Sequence, residues 1–320
     1  MREKKERMRS FLFTIATLFM LGGTACYADT LPVPSTPEHT SPANTSDSSQ
    51  TSSACLTATT DTVKAGSFSM PYLKFGKPGK QPIVILPGLS VKSVIDQANA
   101  IADAYKIFAD DYEVYLIDRR SSIPAAYSLY DMAKDTEEAL DALHLSQCYL
   151  VGFSQGGMIA QIIATERPDL VHKMVLGSTT AQVTPRENEL FNKWTNMAQE
   201  NNLSGLAHDL ATNIYSEGFC QRYADAYSAY IQSASQEDLR RFIIFAHSME
   251  NFNISEQLHK ISCPVLVLGS YHDKVIAPEA SAKLAQMLHC QIYMYDGYSH
   301  AVYDEAPDYK ERVLNFFNGR

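Results

Sequence analysis

Three side chains in this sequence, Ser154, Asp273 and His300, could together generate a nucleophile at neutral pH. A serine hydroxyl attacks a carbonyl carbon only when a base removes its proton, and the base in turn needs an acidic side chain to orient it. The three residues occur in the order serine, aspartate, histidine, and each follows a predicted strand. We therefore take them as the candidate nucleophile, acid and base.

Ser154 is the central residue of the pentapeptide Gly152–Gly156, which has the form G-x-S-x-G. A short apolar run, 148–151, precedes it, and residues 157–164 are apolar at helical spacing. This context predicts a strand, a tight turn that exposes the serine, and a helix. Glycine on both sides leaves room for such a turn. The alternative is that Ser154 only caps the helix that follows.

The candidate acid and base each come directly after a predicted strand. Asp273 follows the apolar run 263–269, and His300 follows the run 290–295. Parallel sheets carry their functional residues at the carboxyl ends of the strands, so both side chains are expected at the same sheet edge as the nucleophile. For Asp273 the alternative is that it caps the helix entered near Pro278.

These motifs resemble the serine-nucleophile members of the α/β-hydrolase fold family. The segment Gly297–Pro307 is similar to the histidine loop of that family, and the resemblance extends over about residues 67 to 320. It implies an α/β fold with a mostly parallel eight-stranded sheet and helices on both faces. The core would comprise residues 63–181 and 259–320. The resemblance further implies hydrolysis through an acyl-enzyme. We expect no cofactor and no metal.

The family resemblance also implies an oxyanion hole made of two backbone amides. One is the amide of Gln155, which follows the nucleophile at the start of a helix. The second donor is expected in the loop after the strand 82–86, and is the amide of Leu89 or, alternatively, of Ser90. Asp118 lies in a stretch that resembles a family motif after the fourth strand, and we expect it to be structural.

Residues 182–258 interrupt the alternation of strands and helices and are predicted to be entirely helical. Such an excursion resembles the cap that many α/β-hydrolases place over the serine. Tyr223 and Tyr227 share one helical face there, and with Trp194 they are candidate substrate-binding residues. The alternative is that they only pack helices together. A pocket lined by them would favour apolar substrates of small to medium size.

The N-terminal part of the chain resembles a targeting segment followed by a linker. Residues 1–28 have the layout of a secretory signal peptide, with an apolar run too short for a membrane span. Cys26 is a candidate lipidation site, which would attach the protein to a membrane, and ordinary cleavage after Ala25 or Ala28 is the alternative. Residues 29–62 are rich in Ser, Thr and Pro and are predicted to form a flexible tether. We therefore expect an exported protein, either secreted or tethered to the cell envelope.

Composition restricts the possible partners. The formal net charge of −9 argues against binding to nucleic acid. No Cys or His spacing typical of a metal site and no nucleotide-binding motif occurs in the sequence. A disulfide between Cys263 and Cys290 is conceivable in an exported protein, and free thiols are the alternative. Nothing in the sequence indicates an oligomeric state.

The sequence thus predicts a serine hydrolase that cleaves carboxylic esters or related acyl compounds of small to medium apolar character. Other chemistries that use the same triad stay open, namely carbon–carbon bond hydrolysis, peptidase, acyltransferase and perhydrolase activity. A non-catalytic ligand-binding protein with the same fold is a further alternative. The presence of all three triad residues argues against that last alternative.

Overall fold

The computed structural model of the protein describes residues 58–320, and one eight-stranded sheet organises them. The order of the strands across the sheet is β1-β2-β4-β3-β5-β6-β7-β8. The first two strands run antiparallel to their neighbours, and β3 to β8 are parallel. The predicted mostly parallel sheet of eight strands is therefore confirmed. The strands are β1 Thr59–Ala65, β2 Phe68–Gly76, β3 Pro82–Leu86, β4 Glu113–Ile117, β5 Cys148–Phe153, β6 Val171–Gly177, β7 Val265–Ser270 and β8 Gln291–Tyr295.

Helices cover both faces of the sheet, as the α/β-hydrolase resemblance implied. They are α1 Ala98–Ala104, α2 Leu129–Ala142, α3 Gln155–Glu166, α4 Pro185–Gln199, α5 Leu203–Ile214, α6 Glu217–Gln232, α7 Gln236–His247, α8 Pro278–Leu288, α9 Val302–Glu305 and α10 Tyr309–Phe317. Within residues 58–320, none of these helices combines the length and apolar character that crossing a membrane requires.

The strand β3 shows how the two faces of the sheet are filled. Val84 and Leu86 join one apolar cluster, whereas Ile83 and Ile85 join the cluster on the opposite face. Successive side chains of a strand point to opposite faces, so a strand covered on both sides must be apolar throughout. This explains the uninterrupted apolar runs from which the strands were predicted.

The predicted tether is too long at its C-terminal end. Residues 59–62 belong to β1, which pairs with β2 over its whole length. These four residues are exposed, and β1 is an edge strand of the sheet. Their polar side chains therefore resemble those of a linker although the backbone is hydrogen-bonded. The predicted signal peptide, 1–28, and the rest of the tether lie outside the described residues.

Four helices, α4 to α7, connect β6 to β7 in the segment predicted to be helical, and we call residues 182–258 the helical insertion. A backbone bridge between Gln182 and Asn253 joins its two ends. Two of its helices begin with capping boxes, at Thr184 and at Ser235. Each box satisfies amides at the helix start that would otherwise lack acceptors, and it fixes where the helix begins.

The cysteines in the described part of the chain are free thiols, so Cys263 and Cys290 do not form a disulfide. Burial raises the pKa of both thiols to about 11. They are therefore neutral at physiological pH and behave as small apolar side chains.

Candidate active site

Ser154 occupies the turn between β5 and α3 in an unusual backbone conformation, with φ 51° and ψ −120°. A non-glycine residue at positive φ costs about 1–3 kcal/mol and persists only where its surroundings enforce it. The residue stands at the N-cap position of α3, but its hydroxyl makes no capping hydrogen bond. The simple capping alternative is therefore wrong. The Ser154 side chain lines a cavity instead.

Close packing of the turn explains the glycines around the serine. A Cβ atom on Gly156 would lie 2.1 Å from the carbonyl oxygen of Leu86, and one on Gly152 would lie 2.6 Å from the oxygen of Gly156. Gly88, in the loop after β3, approaches Ser154 closely as well, since its Cβ would lie 3.2 Å from the serine Cβ. The motif thus holds the serine tightly against the end of β3.

The structure brings Asp273 and His300 together. The Nδ1 atom of His300 lies 2.9 Å from Oδ2 and 3.0 Å from Oδ1 of Asp273, and both side chains are buried. Asp273 Oδ1 also accepts the amides of Val275 and Ile276, each at 2.9 Å. The N-cap of α8 is Ala277, so Asp273 does not cap that helix. The carboxylate is fixed by the backbone and in turn fixes the imidazole, which directs Nε2 to be the nitrogen available for proton transfer.

Both predicted oxyanion donors belong to segments that adjoin Ser154. Gln155 is the first residue of α3, where amides lack intrahelical acceptors. Its side chain is fully buried and donates to the carbonyl of Phe245 in the helical insertion at 2.7 Å. Leu89 and the alternative donor Ser90 both line the same cavity as Ser154. The loop after β3 and the start of α3 therefore frame the hydroxyl from two sides.

A buried guanidinium connects these two segments. Arg119 Nη2 donates to the carbonyl of Pro87 at 2.8 Å and to Oε1 of Gln155 at 3.0 Å. Burial lowers the pKa of Arg119, and the negative charge of the adjacent Asp118 opposes that shift. Asp118 accepts the Arg119 amide and the Ser93 hydroxyl, and it lies apart from the His300 pair. Its place in the structure agrees with a structural role.

Ser154 and His300 open onto one cavity of about 220 Å³. The loop after β3, helix α1, the helical insertion and the segment after His300 form its walls. Eight aromatic side chains line it: Tyr105, Phe153, Phe191, Trp194, Tyr215, Tyr227, Tyr230 and Tyr303. A concave, mostly apolar site with a few convergent polar groups is typical of small-molecule binding.

Two of the three predicted substrate-binding residues lie at the cavity. Trp194 and Tyr227 line it, but Tyr223 does not. The ring of Tyr223 packs against Phe219 with 5.2 Å between centroids. The prediction for Tyr223 is wrong because the shared helical face is longer than the cavity. The face meets the cavity at Tyr227 and Tyr230 and leaves Tyr223 one turn beyond it.

Two further residues of the site carry no sequence motif that identifies them. Arg119 connects the oxyanion segments, and its only sequence signal is its place next to Asp118, in the stretch after β4 that resembles a family motif. Asp304 lines the cavity from α9, four residues after His300. Residues four apart lie on the same side of a helical turn. This spacing points to Asp304 only after His300 has been identified as a site residue.

The histidine loop is hydrogen-bonded to the helical insertion. The Ser299 hydroxyl donates to the carbonyl of Asn213 at 2.7 Å, and the Ala301 amide donates to Ile214 at 2.8 Å. In the opposite direction, the Ser216 amide donates to the carboxylate of Glu305 at 3.0 Å. The end of α5 and the start of α6 are therefore hydrogen-bonded to the histidine loop both before and after His300.

Comparison with known proteins agrees with this architecture. A family model described as the alpha/beta hydrolase fold matches residues 81–307. RutD of Pseudomonas syringae pv. syringae (strain B728a), a proposed carbamate hydrolase, is 25% identical over 231 residues, which cover 68% of this chain and 87% of the relative. 3-Oxoadipate enol-lactonase 2 of Acinetobacter baylyi is 24% identical over 220 residues, covering 67% of this chain and 80% of the relative.

Solved structures share the fold at lower sequence identity. MGS-M2, an alpha/beta hydrolase from a Medee basin deep-sea metagenome library, has a TM-score of 0.73 and 22% identity, covering 81% of this chain and 97% of that one. The enol-lactonase from Burkholderia xenovorans LB400 has a TM-score of 0.70 and 16% identity, covering 81% of this chain and all of the other.

Proposed function

The chain belongs to the α/β-hydrolase fold family, and we propose that it is a serine hydrolase of carboxylic esters or related acyl compounds. One observation carries this proposal. The imidazole of His300 is held at 2.9 Å by the Asp273 carboxylate, at a cavity that the strained Ser154 also lines. A nucleophile, an oriented base and a space for substrate are the minimum for acyl transfer to water.

In the proposed reaction, His300 Nε2 takes the Ser154 proton as the serine oxygen attacks the carbonyl carbon of the substrate. Asp273 keeps the imidazole in the required tautomer and stabilises its positive charge. The amides of Leu89 and Gln155 donate to the oxyanion as it forms. The protonated His300 then gives its proton to the leaving alcohol, and an acyl-enzyme is left on Ser154. Water, deprotonated by His300, attacks the acyl-enzyme, releases the acid and restores the hydroxyl.

The cavity and the relatives support acyl substrates of small to medium size. About 220 Å³ bounded mainly by aromatic rings suits a compact, largely apolar molecule. The two relatives described above are named as a proposed carbamate hydrolase and an enol-lactonase. A lactone is a cyclic ester, and a carbamate also presents a carbonyl carbon to a nucleophile. In the proposal, the helical insertion acts as a cap that limits the access of water to this site.

Labelling with a fluorophosphonate probe tests the proposal, together with turnover of p-nitrophenyl esters of increasing acyl length. The parent, Ser154→Ala and a control, Ser233→Ala, are compared at equal folded concentration. Ser233 bonds to Lys92 at the exposed end of α6 and does not line the cavity. We expect labelling and turnover in the parent and the control, and neither in Ser154→Ala. A folded parent that is neither labelled nor active would refute the proposal.

For the location of the protein, we propose export, either as a secreted protein or attached through a lipid on Cys26, based on the sequence of residues 1–28 alone. The mass and N-terminal sequence of the mature protein test this proposal. A diacylglyceryl-modified Cys26 at the new N-terminus would support attachment, and an unmodified N-terminus after Ala25 or Ala28 would support secretion. An intact Met1 on the mature protein would refute export.

A further inference from the structure

Asp304 places a carboxylate in the wall of a cavity that otherwise lacks charged residues apart from the titratable His300. Among the described residues that line the cavity, it is the single acidic side chain, and no Lys or Arg joins it. The rest of the lining consists of aromatic and aliphatic side chains, together with a few uncharged polar groups. Asp304 is half-buried, and removing a carboxylate from water is costly unless a partner compensates its charge, so its presence here calls for an explanation.

Within residues 58–320, no hydrogen bond or ion pair involves the Asp304 carboxylate; in α9 only its amide is bonded, to Ala301. The positive charge that acts on it is that of Lys310. Lys310 itself donates to the carbonyl of Tyr303 at 2.8 Å, lies over the Tyr105 ring and does not line the cavity. Burial raises the pKa of Asp304, and Lys310 opposes that shift. Among the described residues, none therefore donates a hydrogen bond to the Asp304 carboxylate.

Three tyrosines share the cavity wall with Asp304 and lie within range of its charge. Burial is the main cause that raises the pKa of Tyr105, Tyr215 and Tyr303, and the charge of Asp304 raises each of them further. All three tyrosines line the cavity. The faces of aromatic rings attract cations, most strongly where water is excluded. A carboxylate and aromatic rings in the wall of one cavity form a combination that recognises an organic cation.

We propose that this site prefers acyl substrates that carry an ammonium group, which Asp304 and the neighbouring tyrosine rings would bind. The inference rests on the proposed function, because it assigns a substrate class to the same cavity. A bound cation would contact the Asp304 carboxylate directly, whereas Lys310 acts on it without forming an ion pair and is bonded to the carbonyl of Tyr303. The cation also orients the substrate relative to Ser154 and His300, at the same cavity. The competing explanation is that Asp304 serves only the fold, through attraction to Lys310.

A pair of isosteric thioesters distinguishes these explanations. Butyrylthiocholine carries a quaternary nitrogen where S-(3,3-dimethylbutyl) thiobutyrate carries a neutral carbon, and both release a thiol that can be measured directly. We expect the parent to favour the cationic thioester by at least about tenfold in kcat/KM. Asp304→Asn should reduce that preference, measured as the ratio of kcat/KM for the two thioesters, by at least about fivefold.

Matched variants separate charge recognition from an effect on folding. Asp304→Glu keeps the charge and should keep the preference. Asp308→Asn removes a carboxylate that pairs with Arg312 outside the cavity, and it should behave like the parent. Equal turnover of the two thioesters by the parent would overturn the inference, and so would an unchanged preference in folded Asp304→Asn. If Asp304→Asn does not fold, the preference of the parent decides the question.

Fluorophosphonate labelling distinguishes failure of this inference from failure of the proposed function. A parent that is not labelled and turns over neither thioester would refute the function itself. If the parent is labelled but hydrolyses neither thioester, protection from labelling becomes the measurement. Choline should then slow labelling at a concentration at least about tenfold lower than 3,3-dimethylbutanol does. Equal protection by the two alcohols would overturn the preference for cations.

Discussion

The side chain of Arg119 donates a hydrogen bond to Oε1 of Gln155 at 3.0 Å, in the interior behind the proposed oxyanion hole. The same nitrogen donates to the carbonyl of Pro87 at 2.8 Å. One buried cation thus joins the loop that carries Leu89 to the first turn of α3. Neither bond touches the substrate, so Arg119 is a positioning residue whose effect would be on the spacing of the two amides.

We expect Arg119→Lys to lower kcat by about ten- to a hundredfold with little change in KM, because a lysine cannot make both bonds and the oxyanion donors lose their alignment. Steady-state kinetics on a p-nitrophenyl ester measure the effect. Arg120→Lys is the control, since Arg120 pairs with Asp135 and stacks on Phe68 away from the cavity. If the activity of Arg119→Lys fell only in proportion to the amount of folded protein, kcat per folded molecule would be unchanged. That result would contradict the positioning role.

Asp273→Asn should lower kcat by about 10⁴-fold, because the amide favours the wrong imidazole tautomer and cannot stabilise the imidazolium. Ester kinetics together with a melting curve for each variant test this expectation. Asp296→Asn is the control, since Asp296 bonds to His272, which is exposed and lies outside the cavity. A well-folded Asp273→Asn enzyme with near-parental kcat would show that another acid orients His300.

Replacement of Tyr227 should change which acyl chain length is preferred. Tyr227→Leu removes an aromatic ring from the cavity wall, so we expect the optimum in a p-nitrophenyl ester series to move to longer chains. Tyr223→Leu is the matched control on the same helix, because its ring packs on Phe219 outside the cavity. An identical shift in both variants would indicate a general loosening of α6 and not a contact with substrate.

Stability should fall as pH rises through the range in which Glu137 ionises. Burial and the nearby charge of Glu166 raise its pKa from 4.5 to about 7, and its Oε1 has no hydrogen-bond partner among residues 58–320. Between these values the unfolded chain releases a proton that the folded protein retains, so the free energy of unfolding decreases with pH.

Glu137→Gln cannot ionise and should therefore gain in melting temperature relative to the parent between about pH 5 and about pH 8. Glu138→Gln, at the next position of α2, should show no such gain. A difference between Glu137→Gln and the parent that is constant over this range would mean that Glu137 does not titrate in the folded protein.

The sequence was sufficient to predict the sheet and to bring the triad candidates to one edge of it. The reason is that local patterns carry this information: apolar runs define the buried strands, and a glycine-flanked serine between a strand and a helix defines the turn. Asp273 and His300 then follow from strand order, because the ends of parallel strands converge at one edge of the sheet.

What could not be predicted depends on contacts between distant segments. Tyr223 and Tyr227 have the same residue type on the same helical face, and only the position of the cavity separates them. Arg119 acquires its place through bonds to Pro87 and Gln155, which are remote in sequence. The polar edge strand that contains residues 59–62 is likewise recognisable only by its pairing with β2.

The bonds between the histidine loop and the helical insertion limit how this enzyme can be recombined with its relatives. The carbonyls of Asn213 and Ile214 accept from Ser299 and Ala301, and the Ser216 amide donates to Glu305. All three groups of the insertion belong to the backbone, so a chimera that exchanges residues 182–258 alone would hold the loop on either side of His300 only if the new insertion placed its backbone at the same positions. The insertion and the histidine loop are therefore expected to be inherited, and to be transplanted, as one unit.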